Sequence, residues 1–282
     1  MRLAVTSDIH IDKNGPGALA ALAARVRTLE PDVLVLAGDV ATSPTTLLET
    51  FLALRAAAPR VVYVAGNHDV WSHPEQVARG QHAWWRLDEL LPALCREAGV
   101  DCLDAGGVEI DGVGFVGTLG WYDLSMKDEA LGAPDEAYTR GEFHGLKWMD
   151  HVYAVFPGED GRPMAPWAVA DRLRSRLQAQ LRACVAPRVV ALTHMVAFDE
   201  QLHHKPHPGW RFCQAFIGHR GLGDVLRADP RVCLAVAGHT HTPSDLRFGG
   251  LRAVVSPLGY RGEWLGRPTE EAVAAAVALV EV

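Results

Sequence analysis

Thiols are scarce in this chain. Its 282 residues include five cysteines: Cys95, Cys102, Cys184, Cys213 and Cys233. They are odd in number, scattered, and form no C-x-x-C pair, which argues against a disulfide framework. Each reads as a small buried hydrophobe. Long apolar runs are also missing, so nothing is expected to cross a bilayer. The opening MRLAVTSDIH holds only a short apolar stretch before Asp8. It makes a poor signal peptide and a good first buried strand. The expectation is a cytoplasmic protein with no membrane partner. An excess of positive charge is absent too: 27 Lys and Arg stand against 34 Asp and Glu, a net charge of −7. Duplex binding usually needs a basic surface, so a nucleic-acid partner is disfavoured. It is not forbidden, because bound metal ions reverse a local field. No repeat, low-complexity tract or linker stands out, and residues 1–282 are read as one domain.

What the chain does have is ordinary globular composition, with 49% hydrophobic and 22% charged residues. RLAVTS (2–7), DVLVLAG (32–38) and RVVYVAG (60–66) read as strands. Helical apolar spacing over 18–30 and 45–58 separates them, and one long helix is expected within about 75–98. This alternation is the signature of a parallel α/β sheet. The pattern then changes. GGVEIDGVGFVGT (106–118) reads as a hairpin around Asp111-Gly112. Residues 119–166 have weak periodicity and many aromatics, and read as an irregular insertion with short helices. Alternation resumes with a helix near 167–185, a strand at 188–194, a helix near 220–228 and a strand at 232–239. The last third is β, at 244–250, 251–257 and 276–282.

Five strands share one kind of ending. AVTSDIH ends in Asp8 and His10, VLVLAGD in Asp39, and VVYVAGNHD in Asn67, His68 and Asp69. VVALTH ends in His194, and CLAVAGHTH in His239 and His241. Taken singly, a histidine after a strand is more often a hydrogen-bonded structural residue, and an Asp or Asn after Gly more often forms a turn. Gly38 and Gly66 suit that plainer view. It supplies no reason for five coincident endings. In an open α/β sheet ligands sit beyond the carboxyl ends of the strands. If these strands share a sheet, the polar groups converge on one rim. Such a rim is unfavourable unless something binds it, and metal ions are the natural answer. Imidazole and carboxylate without thiolate suit zinc, manganese or iron. Seven residues supply eight bonds if one carboxylate bridges. Asp39, alone on its strand between the others, is the natural bridge. Paired ions clamp a displacement at phosphorus from both sides.

The order Asp8-Ile9-His10, Gly38-Asp39, Gly66-Asn67-His68-Asp69, Thr193-His194 and Gly238-His239-Thr240-His241 resembles the calcineurin-like metallophosphoesterase superfamily. Each motif alone is weak; the ordered set, spanning residues 8–241, is specific. The resemblance implies a four-layer α/β/β/α sandwich of two mixed sheets flanked by helices. It implies one metal held by Asp8, His10, Asp39 and His241, and a second held by Asp39, Asn67, His194 and His239. A hydroxide between the two would attack phosphorus. His68 would face the leaving oxygen, donating a proton or stabilising its charge. Asp69 would then be its partner, fixing the tautomer, with a helix N-cap or turn as the equally weighted alternative.

Outside these motifs, HHKPHPGWRF (203–212) has irregular spacing and two prolines, and reads as a solvated loop. Lys205 and Arg211 are its candidate substrate contacts. Tyr260 and Arg261, in SPLGYRGEW (256–264), are two more. The aromatics of 119–166 are more often core than cap, although a lid over the site is conceivable. The expectation is a binuclear-metal phosphoesterase acting on a small phosphorylated substrate, with a diester slightly favoured because its poorer leaving group gains more from His68. A phosphomonoesterase, a phosphoprotein phosphatase or a nuclease would use the same core. The non-enzymatic alternative is a metal-binding scaffold, which would be expected to lack ligands or His68. A barrel hydrolase would open with H-x-H and need eight βα units.

Overall fold

The computed structural model describes residues 1–282. One sheet has the order β13-β1-β2-β3-β4. Its strands are β1 (Arg2–Thr6), β2 (Val33–Ala37), β3 (Val61–Val64), β4 (Asp101–Cys102) and β13 (Ala278–Glu281). The first four run parallel and β13 pairs antiparallel with β1. The other sheet has the order β11-β12-β10-β9-β6-β5. It comprises β5 (Val108–Ile110), β6 (Val113–Thr118), β9 (Arg188–Thr193), β10 (Val232–Ala237), β11 (Ser244–Phe248) and β12 (Leu251–Val255). β6, β9, β10 and β12 are parallel, and β5 and β11 close the edges antiparallel. A two-stranded hairpin, β7 (Glu142–Phe143) with β8 (Leu146–Lys147), stands apart.

Period-two alternation builds the layers. Leu3, Val5, Val33, Val35, Val62 and Val64 point inward to meet Phe115, Val190, Leu192, Leu234 and Val236 of the opposite sheet. The alternate residues Ala4, Leu34, Leu36, Val61 and Tyr63 face helices 16–29, 44–55 and 91–98. Val116, Val189, Ala191, Ala235 and Ala253 face helices 166–183 and 220–228. Both faces of the central strands are therefore buried, which is why they read as unbroken apolar runs. Each such Val or Leu contributes about 1.5–3 kcal/mol of burial. The order helix, sheet, sheet, helix is the expected sandwich.

Three expectations need correction. The long helix over 75–98 is broken. A short turn at Pro74–Val77 stops at Gly80 (φ +82°), and a second helix starts at Ala83 and runs to Ala98. Its Arg86–Leu90 stretch is π-helical, directly ahead of Pro92. Glycine admits the reversal, and a proline without an N–H forces the wider turn. Second, the expected loop over 203–212 is interrupted by a helical turn, Pro208–Cys213, begun by Pro208 and capped by His207 Nδ1, which accepts from the Gly209 N–H. Third, the last third is not all β: Thr269–Ala275 forms a helix, and the final strand, expected over 276–282, spans Ala278–Glu281.

Candidate metal centre

The five marked strands do not share one sheet. β1, β2 and β3 lie in the first, β9 and β10 in the second. The rim is nonetheless common, because the loops beyond the strand ends are bonded within each sheet and then from one sheet to the other. The Asp8 N–H donates to Gly38 O (3.0 Å), His10 N–H to Asp39 O (3.0 Å), and Gly238 N–H to His194 O (2.9 Å). His239 N–H donates to Asp8 Oδ1 at 2.9 Å, joining the first strand to the last. Asp8, His10, Asp39, His239 and His241 all have positive φ, between 40° and 69°. Each such backbone costs on the order of 1 kcal/mol or more, and five at one rim point to a functional constraint. Gly38 (φ +84°) and Gly66 serve close approach as well as turning. A Cβ on Gly66 would lie 2.1 Å from Asp39 Oδ1, and one on Gly38 would lie 2.5 Å from His194 Nδ1.

Two groups of donor atoms result, each within 4.8 Å internally: Asp8, His10, Asp39 and His241, and Asp39, His194 and His239. Asp39 belongs to both and divides its oxygens. Oδ2 lies 3.6 Å from His10 Nε2, and Oδ1 lies 3.4 Å from His194 Nε2. Asn67 Oδ1 joins the second group at 3.0 Å from His194 Nε2.

The imidazoles are oriented by their outer nitrogens. His194 Nδ1 is 2.8 Å from Ala37 O, His241 Nδ1 is 2.8 Å from Glu263 Oε2, and His239 Nε2 is 3.2 Å from Phe216 O. With Nδ1–H on the Ala37 carbonyl, a neutral His194 turns a bare lone pair toward two oxygens, Asn67 Oδ1 and Asp39 Oδ1. Acceptors facing acceptors require a proton or a cation between them. His10 Nε2 and His241 Nε2 also converge, 3.1 Å apart. This donor set fits two divalent cations.

The titration of the cluster tells the same story. Burial alone would raise Asp39, but His194, His68 and His10 outweigh it and hold the carboxylate well below its ordinary range. Burial would lower His194, but Asp39 overcomes it and drives the imidazole up to about 10. His239, buried beside His194, is pushed down to about 3. Protons thus leave the cluster charged unevenly, and cations would displace the proton on His194.

His68 stacks on Trp71 with ring centroids 3.8 Å apart. Its N–H donates to Asp39 Oδ1 (2.9 Å), and its Nε2 lies 3.3 Å from the Tyr260 hydroxyl and 4.0 Å from Asp39 Oδ2. The expected pairing of Asp69 with the His68 ring is absent. Asp69 accepts instead from the Val40, Ala41 and Gly66 N–H groups and the Tyr63 hydroxyl, at 2.7–3.0 Å. Those four donors saturate its carboxylate inside the fold and tie the ends of β2 and β3 together. Burial, with the Asp39 charge, lifts its pKa to about 7.

A cleft of about 410 Å³ opens onto the cluster, and Asp39, Asn67, His68, His239 and His241 line it. Lys205 and Tyr260 also line it. Arg211 and Arg261 do not. Arg211 is bound to Asp128 at 2.6 Å, and Arg261 lies over Trp264. The opposite wall is built by Leu146, Lys147, Trp148, Met149, Trp210 and Ile217. Residues 119–166 therefore contribute wall as well as core. Two functional candidates escaped the sequence reading. Glu263 orients His241. Asp150, fully buried, accepts from Asn67 Nδ2 (2.8 Å), Trp71 Nε1 (2.7 Å) and Trp148 Nε1 (3.0 Å). Its one signal in sequence is a lone carboxylate among aromatics, in KWMDHVY.

A family model described as calcineurin-like phosphoesterase matches residues 1–243. The chain belongs to that family. The family generally depends on two metal ions, which the donor groups above would accommodate. The calcineurin-like fold recurs in the phosphopantetheinyl hydrolase from Mycobacterium tuberculosis, with a TM-score of 0.73 at 21% identity, covering 99% of this chain and 95% of that one. A dimetal phosphatase from Danio rerio aligns over 90% of this chain and 86% of its own, with 15% identity and a TM-score of 0.47. No curated protein matches the chain. No helix is long and apolar enough to cross a membrane.

Proposed function

We propose that this protein is a phosphoesterase that works with two divalent cations, manganese, iron or zinc, and hydrolyses a small phosphodiester. The observation that carries this is the division of Asp39 between two donor groups, with Oδ2 toward His10 and Oδ1 toward His194. Asp8, His10, Asp39 and His241 would hold one cation; Asp39, Asn67, His194 and His239 the other. The pair would supply a nucleophile at neutral pH and draw charge from the phosphate oxygens.

The chain's own groups do the rest. His68 stands beside the cluster with its Nε2 free of carboxylate contact closer than 4.0 Å, so it can give a proton to the departing oxygen. Trp71 fixes its ring plane and Tyr260 its exposed nitrogen. Burial raises the Tyr260 phenol above its ordinary range, so it stays a neutral hydrogen-bond partner. Two features favour a diester over a monoester. The cleft lining contains lysines but no arginine fork for a phosphate dianion, and its apolar wall offers room for a second ester arm. A monoester or phosphoprotein substrate is the second reading on the same residues.

The test is a panel of an aryl phosphodiester, an aryl phosphomonoester, a cyclic nucleotide, single-stranded DNA and a phosphopantetheinyl diester, each with manganese, iron or zinc. The last is included because the mycobacterial enzyme of like fold is named for that group. Diester turnover above monoester turnover is expected. Protein that binds no metal and turns over nothing would end the enzymatic reading.

A further inference from the structure

A second cavity, of about 510 Å³, shares one lining residue, Trp71, with the cleft. Its walls include Arg86, Lys13, Thr42, Ser43 and Ser72. Arg86 is among the largest fully buried side chains of the protein. Nε donates to Asp69 O (2.8 Å) and Nη2 to Thr42 O (2.6 Å). Both partners are backbone carbonyls, and neither bond uses Nη1. The guanidinium forms no ion pair; the buried Asp69 carboxyl acts on it only from beyond contact distance, and a charge so placed is costly unless an anion arrives. Ser72 Oγ is buried there with no hydrogen-bond partner. The helix Pro44–Arg55 starts at the same wall, with its positive dipole end at Ser43. Asp12 is the one acid in the lining, set against two cations, and its carboxylate is turned to the Thr42 N–H at 3.5 Å.

We propose that this cavity binds a second phosphate group of the substrate, carried on the ester arm that passes Trp71. The assignment of the first phosphate to the metal cluster rests on the phosphodiesterase reading above; the anion site does not. The substrate class is then a phosphodiester whose arm bears a further phosphate or pyrophosphate, as nucleotide-derived coenzymes do. Arg86 would contribute the N–H groups of its unused Nη1, and Lys13 a mobile point charge at the mouth.

Two measurements test this. Calorimetry of the manganese-loaded protein with inorganic phosphate should resolve two sites. Lys13→Ala should weaken one of them several-fold and Arg86→Gln about tenfold or more, leaving the other unchanged. A single site, or two sites indifferent to both variants, overturns the proposal. Lys13 is exposed, so its variant keeps the test valid if Arg86→Gln does not fold. The second measurement compares a bis-aryl phosphodiester with an aryl diester whose other arm ends in phosphate. Lys13→Ala should raise KM for the phosphorylated substrate several-fold with kcat intact, and leave the bis-aryl substrate alone. Equal KM values in wild type and variant overturn a substrate-borne phosphate. So does a Lys13-dependent effect of free phosphate on bis-aryl turnover, which would assign the cavity to the free ion. No turnover of either diester removes the phosphodiesterase reading, while the calorimetry still decides the anion site.

Discussion

The rim of strand ends and the wall of residues 142–150 and 203–217 face each other across one cleft, yet they fix their side chains by different means. At the rim every candidate ligand follows a buried strand, so register decides where it lands. Backbone strain is concentrated there, with five positive-φ residues. The wall has no such scaffold. It rests on a two-stranded hairpin, on short helical turns, and on stacked rings such as Trp148 against Phe216, 5.1 Å apart. Asp150, at the start of a four-residue turn, gathers three donors from the wall and the rim. The candidate ligands therefore sit on rigid strand ends, and the wall that faces them sits on irregular chain.

The sharpest way to break this comparison is at its rim. Asp39→Ala removes the one carboxylate common to both donor groups, and with it the charge that keeps the buried His194 imidazole protonated in the absence of metal. Turnover should fall to background and both metals should be lost, read by metal content alongside activity, with circular dichroism unchanged. Retention of one tightly held metal would show that the two groups are independent. The next effect in size comes from His68→Ala. Rates should drop by about 10²–10⁴ while both metals stay bound. The loss should be greater for an alkyl leaving group than for a nitrophenyl one. Equal losses for both would remove His68 from the leaving oxygen.

The wall is tested through Asp150. Asp150→Ala frees the Asn67 amide to rotate and releases the Trp71 indole behind His68. Metal affinity should fall by roughly 10–100-fold, the cost usual for groups that orient ligands. The second metal should be lost first, and tryptophan fluorescence should change in metal-free protein. A variant that binds metal normally would mean that the wall shapes the cleft without holding the rim.

This contrast also explains what could be read beforehand. Apolar runs of β-branched residues locate β1, β2, β3, β9 and β10, and the polar residue after each run locates the rim. The assignment of those strands to two sheets depends on pairings such as β6 with β9, which join residues far apart in sequence, and no local pattern carries them. The helix break at Gly80 and the π turn before Pro92 were written in those two residues but masked by surrounding helical periodicity. Asp69 misled because adjacency to His68 suggests contact. In the fold its carboxylate turns inward, to three backbone N–H groups and a phenol. Asp150 was illegible because its partners Asn67 and Trp71 lie 83 and 79 residues away.

The last effect, on stability rather than on metal or turnover, concerns the seam beneath the rim. Asp104 accepts from Ala65 N–H (2.7 Å), just past β3, and from Leu119 N–H (2.5 Å), just past β6, and so joins the two sheets. Leu119 O in turn accepts from the His194 N–H at 3.1 Å. Burial outweighs these two donors and raises the carboxyl to about 6 from an ordinary 3.8. A raised acid binds its proton more tightly in the folded state. Its stabilising contribution is complete below the ordinary pKa and is lost as pH climbs through about 6. Asp39, held low, works in the opposite direction, losing stability as pH falls. The wild-type curve alone mixes the two. The difference between wild type and Asp104→Asn in urea unfolding isolates the seam. The wild-type advantage should shrink by on the order of 3 kcal/mol between about pH 4 and about pH 7. A flat difference would mean that the two N–H donors offset burial and leave the Asp104 carboxyl at its ordinary value.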